Sequence, residues 1–144
     1  MQIRLQVGGF QNEPAELIVV GMFEDQVGLS QAAAAVDQAL GGQLTQLIAD
    51  GDFASKAKEL SLLYAAGRGA AKRVLLVGLG RTSKLSPESI RVAAGLAAKR
   101  VLSLGVKSYT AEVFGAGCRK NKVRNILTVG VCDNFHPVFK HVQI

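Results

Sequence analysis

Tryptophan is absent from this sequence, and cysteine and histidine occur twice each and proline three times in 144 residues. Two cysteines, Cys118 and Cys132, are too few for a disulfide framework in a chain long enough to build its own core, so reduced thiols are expected. Apolar runs such as residues 74–77 stop at glycine or charge, far short of the ~20 residues that cross a bilayer, and no membrane partner is expected. The opening Met1-Gln2-Ile3-Arg4-Leu5-Gln6-Val7 alternates polar and apolar residues, unlike the basic and then hydrophobic stretches of a secretory signal. It reads as the first strand of a cytoplasmic protein. Charged residues make up only 19% of the chain against 49% hydrophobic, which argues against global disorder and for one globular core.

The net charge of +6 suggests nucleic acid only until it is divided along the chain. Residues 114–144 carry five Lys/Arg against one Asp, leaving +2 for the first 113 residues. This basic tail could be drawn to phosphate, but it lacks the interleaved aromatics of a base-stacking platform.

Glycine and helix-cap signals divide the chain into an α/β pattern, a mixed sheet flanked by helices. Leu17-Ile18-Val19-Val20-Gly21-Met22 reads as a fully buried central strand. Ser30 caps an Ala-rich helix over residues 31–40 that stops at Gly41-Gly42, and Leu44, Leu47 and Ile48 continue at helical spacing to Gly51. Residues 60–64 and 73–77 form an antiparallel pair joined by a long hairpin, with Gly78-Leu79-Gly80 breaking the second strand. Ser86-Pro87-Glu88 opens a helix whose Ile90, Ala93, Ala94, Ala97, Ala98 and Val101 repeat at helical spacing. A strand over residues 106–113 then completes a strand–helix–strand unit of the right-handed crossover type. Beyond it the plain expectation is a peripheral strand over residues 126–131 and a disordered end.

Three constellations could carry chemistry. The first, the strand ending at Gly78-Leu79-Gly80, starts like a dinucleotide fingerprint, but Ser83 holds the third glycine position and the helix opens late, at Pro87. Lys99 and Arg100 then stand where a ribose-binding acid belongs. The plainer reading is glycines that let the chain leave the sheet. In the second, Asp50 and Asp52 flank Gly51 with no neighbouring His or nucleophile, a pattern that more often shapes a helix end. The third, Cys118, Cys132, His136 and His141, offers ligand types that zinc accepts, at spacings poor for a structural zinc site. No catalytic, cofactor-binding or metal-binding residue is assigned.

Three segments together resemble the N-terminal domain of the leucine (cytosol) aminopeptidase family of metallopeptidases. They are residues 15–24, Gly51-Asp52-Phe53 with Lys56, and Ala71-Lys72-Arg73-Val74-Leu75-Leu76-Val77-Gly78-Leu79-Gly80. Leu40-Gly41-Gly42 and Leu104-Gly105-Val106-Lys107-Ser108 agree in order and spacing. The resemblance covers residues 1–113, treated as one domain, with residues 114–144 unassigned. It implies a macro-domain-like fold, a cytoplasmic setting and a hexameric parent that removes N-terminal amino acids with two divalent metals, zinc or manganese. The catalytic domain of such a parent carries an Asn-Thr-Asp-Ala-Glu-Gly-Arg-Leu signature that this sequence lacks, so the chain is expected to hold no cofactor and to be inactive alone. Its implied partners are the catalytic domain and other copies; a nucleotide- or ADP-ribose-binding module and a DNA-binding module are the alternatives. Two departures stand out: where the family usually has glycine, this chain has Ser55 and Lys58.

Overall fold

The computed structural model describes residues 2–7, 15–68, 71–112, 114 and 138–143. Six strands, β1 (Gln2–Val7), β2 (Ala15–Phe23), β3 (Leu60–Tyr64), β4 (Ala71–Gly80), β5 (Ser108–Glu112) and β6 (Val138–Gln143), form one sheet in the order β1-β6-β5-β2-β4-β3. β2 runs parallel to both β4 and β5, whereas β3 on β4, β6 on β5 and β1 on β6 are antiparallel. Helices α1 (Gln31–Ala39) and α2 (Gln43–Ala49) follow β2, and α3 (Pro87–Ser103) links β4 to β5.

Alternation along the central strands explains why they read as unbroken apolar runs. Ile18, Val20, Met22, Val74 and Leu76 point to one face, where Ala33 and Val36 of α1, Leu44 of α2 and Phe53 cover them. Leu17, Val19, Leu75, Val77 and Leu79 point to the other, against Ile90, Ala93, Ala97 and Val101 of α3. A strand covered on both sides has no polar face to present. Each fully buried Leu or Val contributes roughly 1.5–3 kcal/mol relative to exposure.

Local sequence sets the helix ends. Ser30 Oγ accepts from Ala33 N at 3.1 Å. At α3, Ser86 Oγ accepts from Ser89 N at 3.1 Å while Ser89 Oγ accepts from Ser86 N at 2.9 Å, a reciprocal capping box with Pro87 at the first helical position. Ala94, expected on the packed stripe of α3, is exposed, because the stripe that meets the sheet is only Ile90, Ala93, Ala97 and Val101 wide.

Two expectations are corrected. Gly78-Leu79-Gly80 does not end the second strand; β4 runs through Gly80, which pairs with Phe23 of β2 after a register shift past the Met22–Gly78 pair. The chain after residue 131, expected to lack order, includes β6, which fills the place between β5 and β1 with a β-branched and aromatic sequence, Val-Phe-Lys-His-Val-Gln. The expected strand at 126–131 lies outside the described residues.

Candidate functional site

The C-terminal ends of β2 and β4 are the place to look for a site. These adjacent parallel strands send their following helices to opposite faces, which in open α/β sheets leaves a crevice for ligands. Here the crevice is stitched shut. Glu24 N donates to Gly80 O at 3.0 Å. Thr82 then gives its backbone N–H and its hydroxyl to the Asp25 carboxylate at 2.9 and 2.8 Å, which holds the Asp25 pKa below the ordinary value. Arg81 and Glu24 form an exposed ion pair at 3.7 Å.

The glycines of β4 also carry a clasp. The loop from Phe53 to Glu59 crosses over the strand so closely that a Cβ at Gly78 would lie 2.0 Å from Lys56 O. Gly78 N donates to Glu59 O at 2.8 Å, Lys58 N to Gly78 O at 3.3 Å and Gly80 N to Ser55 O at 3.1 Å. The Glu59 carboxylate closes the loop by accepting from Ala54 N and Lys56 N, and Phe53 anchors it in the core. The N–H groups that would cradle a pyrophosphate are therefore already paired within the protein, and the dinucleotide reading has no donors left at Gly78 and Gly80. The plainer reading holds at Gly80, the last residue of β4, whose φ of 72° turns the chain out of the sheet, whereas Gly78 admits a crossing backbone.

Ser55 and Lys58 adopt left-handed backbone angles, φ 58° and 70°. These are the two positions at which the resemblance leads one to expect glycine. The loop keeps its glycine-shaped path, with a steric cost of about 1 kcal/mol at each side chain.

Beside the clasp lies a cleft of about 360 Å³ lined by Met22, Phe23, Leu29, Ile48 and Phe53, with Thr45 and Ser55 as its side-chain hydroxyls. Asp37 takes up the anion-binding end of α2 nearby, accepting from Leu44 N at 2.8 Å, Thr45 N at 3.2 Å and the Thr45 hydroxyl at 2.5 Å. The sequence reading passed over Asp37. Its one signal is an acid on the buried stripe of α1, beside Ala33 and Val36. Glu112, also passed over, accepts from Gly21 N at 3.3 Å where β5 stops pairing with β2; withdrawal from water pushes its carboxyl up to about 7.

Asp50 and Asp52 sit on an exposed turn. Asp50 caps α2 and accepts from Gln46 Nε2 at 2.8 Å, and Asp52 N donates to Leu47 O at 3.1 Å. Cys118, Cys132 and His136 lie outside the described residues, and His141 is a β6 residue opposite Arg4 and Thr110. Among the described residues no group of three or more His, Cys, Asp or Glu could hold a metal ion, so they do not fit a two-metal centre.

The model of the cytosol aminopeptidase family's N-terminal domain matches residues 19–131. This chain belongs to that family, as its N-terminal domain. The match runs past Val113, where the resemblance read from the sequence stopped. A probable cytosol aminopeptidase of Acidithiobacillus ferrooxidans is 40% identical over 102 residues, 71% of this chain and 20% of that protein. One from Xanthomonas axonopodis pv. citri is 47% identical over 78 residues, 51% of this chain and 16% of that protein. The chain thus spans about a fifth of the length of the curated relatives it matches. A tomato leucine aminopeptidase mutant aligns with TM-score 0.57 at 22% identity, over 71% of this chain and 21% of its own. The macrodomain of Mycobacterium tuberculosis DarG aligns with TM-score 0.57 at 10% identity, over 72% and 70%. Both structures carry the macro-like α/β fold that the family has here. No helix among the described residues is long and apolar enough to cross a membrane.

Proposed function

We propose that this chain is the non-catalytic N-terminal domain of a cytoplasmic, metal-dependent aminopeptidase, and that it serves as a structural unit on which the catalytic portion and the oligomer are organised. The observation that supports this most is how the family-specific residues are used. Phe53, the positions of Ser55 and Lys58, Glu59, Gly78 and Gly80 all build the clasp; of these only Phe53 and Ser55 line the cleft, whose described lining holds no histidine or cysteine to pair with the Ser55 hydroxyl. The peptidase chemistry, with its two divalent metals, belongs on this reading to a separate catalytic domain.

Incubation of the purified chain with leucyl-anilide and manganese is expected to give no turnover; robust turnover would overturn the reading. The nucleotide alternative finds no free backbone donors at Gly78 and Gly80, and calorimetric titration with ADP-ribose is expected to show no heat. DNA binding rests on the basic residues after 113, so replacing Arg119, Lys120, Lys122 and Arg124 by glutamine, which leaves β6 in the sheet, is expected to abolish any salt-sensitive association.

A further inference from the structure

We infer that Asp50–Gly51 is a site of spontaneous main-chain isomerisation, at which the peptide link moves from the α-carboxyl to the side-chain carboxyl of Asp50, and that the last turn of α2 sets its rate. The reaction needs nothing from a catalytic domain and stands apart from the reading of the chain as an assembly unit.

Isomerisation begins when the backbone nitrogen after an aspartate reaches the aspartate's own side-chain carbon. A side chain on the following residue crowds that approach, and glycine does not. Of the five Asp and four Asn residues in the sequence, only Asp50 precedes glycine. Asp50, Gly51 and Asp52 are exposed, and a Cβ at Gly51 would meet nothing within 4 Å, so both ring closure and attack by water have room.

A dehydration and a hydrolysis make up the reaction, with no oxidant or cofactor. Gly51 N bonds to Asp50 Cγ, and the nitrogen's proton leaves with the carboxyl's hydroxyl as water. The cyclic imide then takes up a water. Breaking the bond from Gly51 N to the main-chain carbonyl carbon of Asp50 frees an α-carboxylate and leaves isoaspartate, with the main chain running through Cβ and Cγ. Breaking the new bond restores Asp50.

The folded turn restrains this step. Asp50 has φ −74° and ψ −11°, far from the eclipsed arrangement of Cβ and Gly51 N that a five-membered ring requires, and Gly51 N donates to Ile48 O at 3.1 Å. Asp50 N donates to Gln46 O at 2.9 Å, and the Asp50 carboxylate accepts from Gln46 Nε2 at 2.8 and 3.0 Å. The turn must open before the ring can close. Opening is easy here, because α2 has only seven residues and a helix that short is marginal by itself. Its C-terminal end, where cations are favoured, carries Asp50 and Asp52 with no basic residue in the last turn. Helix ends also lie at the low end of local unfolding free energies. Once formed, isoaspartate adds one carbon to the link between α2 and Phe53, the buried anchor of the clasp.

The full 144-residue chain, aged in warm, mildly acidic buffer, tests this. Isoaspartate is measured by enzymatic methylation of the freed α-carboxylate and located by electron-transfer fragmentation of peptides. It is expected to accumulate at residue 50 above every other Asp and Asn, through an imide lighter by one water. Asp50→Glu, which would have to close a larger ring, is expected to abolish it. Gln46→Ala is expected to speed it about twofold, the worth of an exposed Gln–Asp pair one helical turn apart. Chain unfolded in guanidinium should isomerise severalfold faster than folded chain. The aged chain should also exchange the Gly80 amide, the donor to Ser55 O, faster than fresh chain does. Isoaspartate no higher at residue 50 than at Asp25, a yield unchanged by Asp50→Glu, or one rate for folded, Gln46→Ala and unfolded chain would sink the inference. Gly80 exchange indifferent to ageing would overturn the link from this turn to the clasp.

Discussion

Gly78 in β4 and Gly95 in α3 both sit among apolar residues, and their surroundings are opposite. A Cβ at Gly78 would meet the backbone of the crossing loop at 2.0 Å, whereas a Cβ at Gly95 has nothing within 4 Å. The end of β4 is held from three directions, by β2, the Phe53–Glu59 loop and the contacts of Glu24 and Asp25 with Gly80 and Thr82. The outer face of α3, with Ala94, Gly95 and Leu102, is exposed. The contrast separates a glycine that the fold requires from one that it merely tolerates.

The sharpest break of that contrast is Gly78→Ala. Because the obstruction is backbone rather than a flexible side chain, the clasp must lift, and a loss of about 3 kcal/mol is expected in urea or thermal unfolding. A melt unchanged from wild type would mean that the loop does not cross where it is placed.

Glu112 gives the next effect, and its sign depends on pH. Its carboxyl is pushed up to about 7 in the fold from an ordinary 4.5, so between those values the folded state holds more protons than the unfolded one. Stability from this group is present below about pH 4.5, falls as pH rises towards 7 and is flat above. At about 1.4 kcal/mol per unit the swing is at most about 3 kcal/mol, less what the part-buried carboxylate regains from solvent. Glu112→Gln should flatten this window and raise the unfolding free energy at pH 8; an unchanged slope would exclude Glu112 as its source.

At the clasp, Ser55→Gly and Lys58→Gly restore the residue that the left-handed backbone favours, and each is expected to stabilise by about 1 kcal/mol. Additive gains would locate the strain in the two side chains themselves, and no gain would mean that the loop has relaxed around them. The smallest effect belongs to the free glycine: Gly95→Ala, exposed in a helix interior, should stabilise by roughly 0.5–1 kcal/mol. Opposite signs for the same substitution at Gly78 and Gly95 would put the comparison beyond composition.

Elements defined by neighbours in sequence were legible in advance. Ser30 and the Ser86-Pro87 pair begin their helices where cap chemistry requires, Leu60–Tyr64 is a strand at the bounds read from its apolar run, and its antiparallel partner is β4. Asp37 was not legible, since the N–H groups it caps lie seven and eight residues ahead on another helix. Nor was Glu112, which accepts from the backbone of Gly21, 91 residues away.

The sequence by itself determined where helices start and that β2 is buried throughout, because caps and periodicity act over a few residues, and three segments resembling a known family pointed to the family. Tertiary structure alone decided that Gly78 serves a backbone crossing, that Ser55 and Lys58 occupy glycine-like conformations, and that β6 enters the sheet between β5 and β1. Those outcomes depend on which distant segments lie against each other, and no local pattern carries that information.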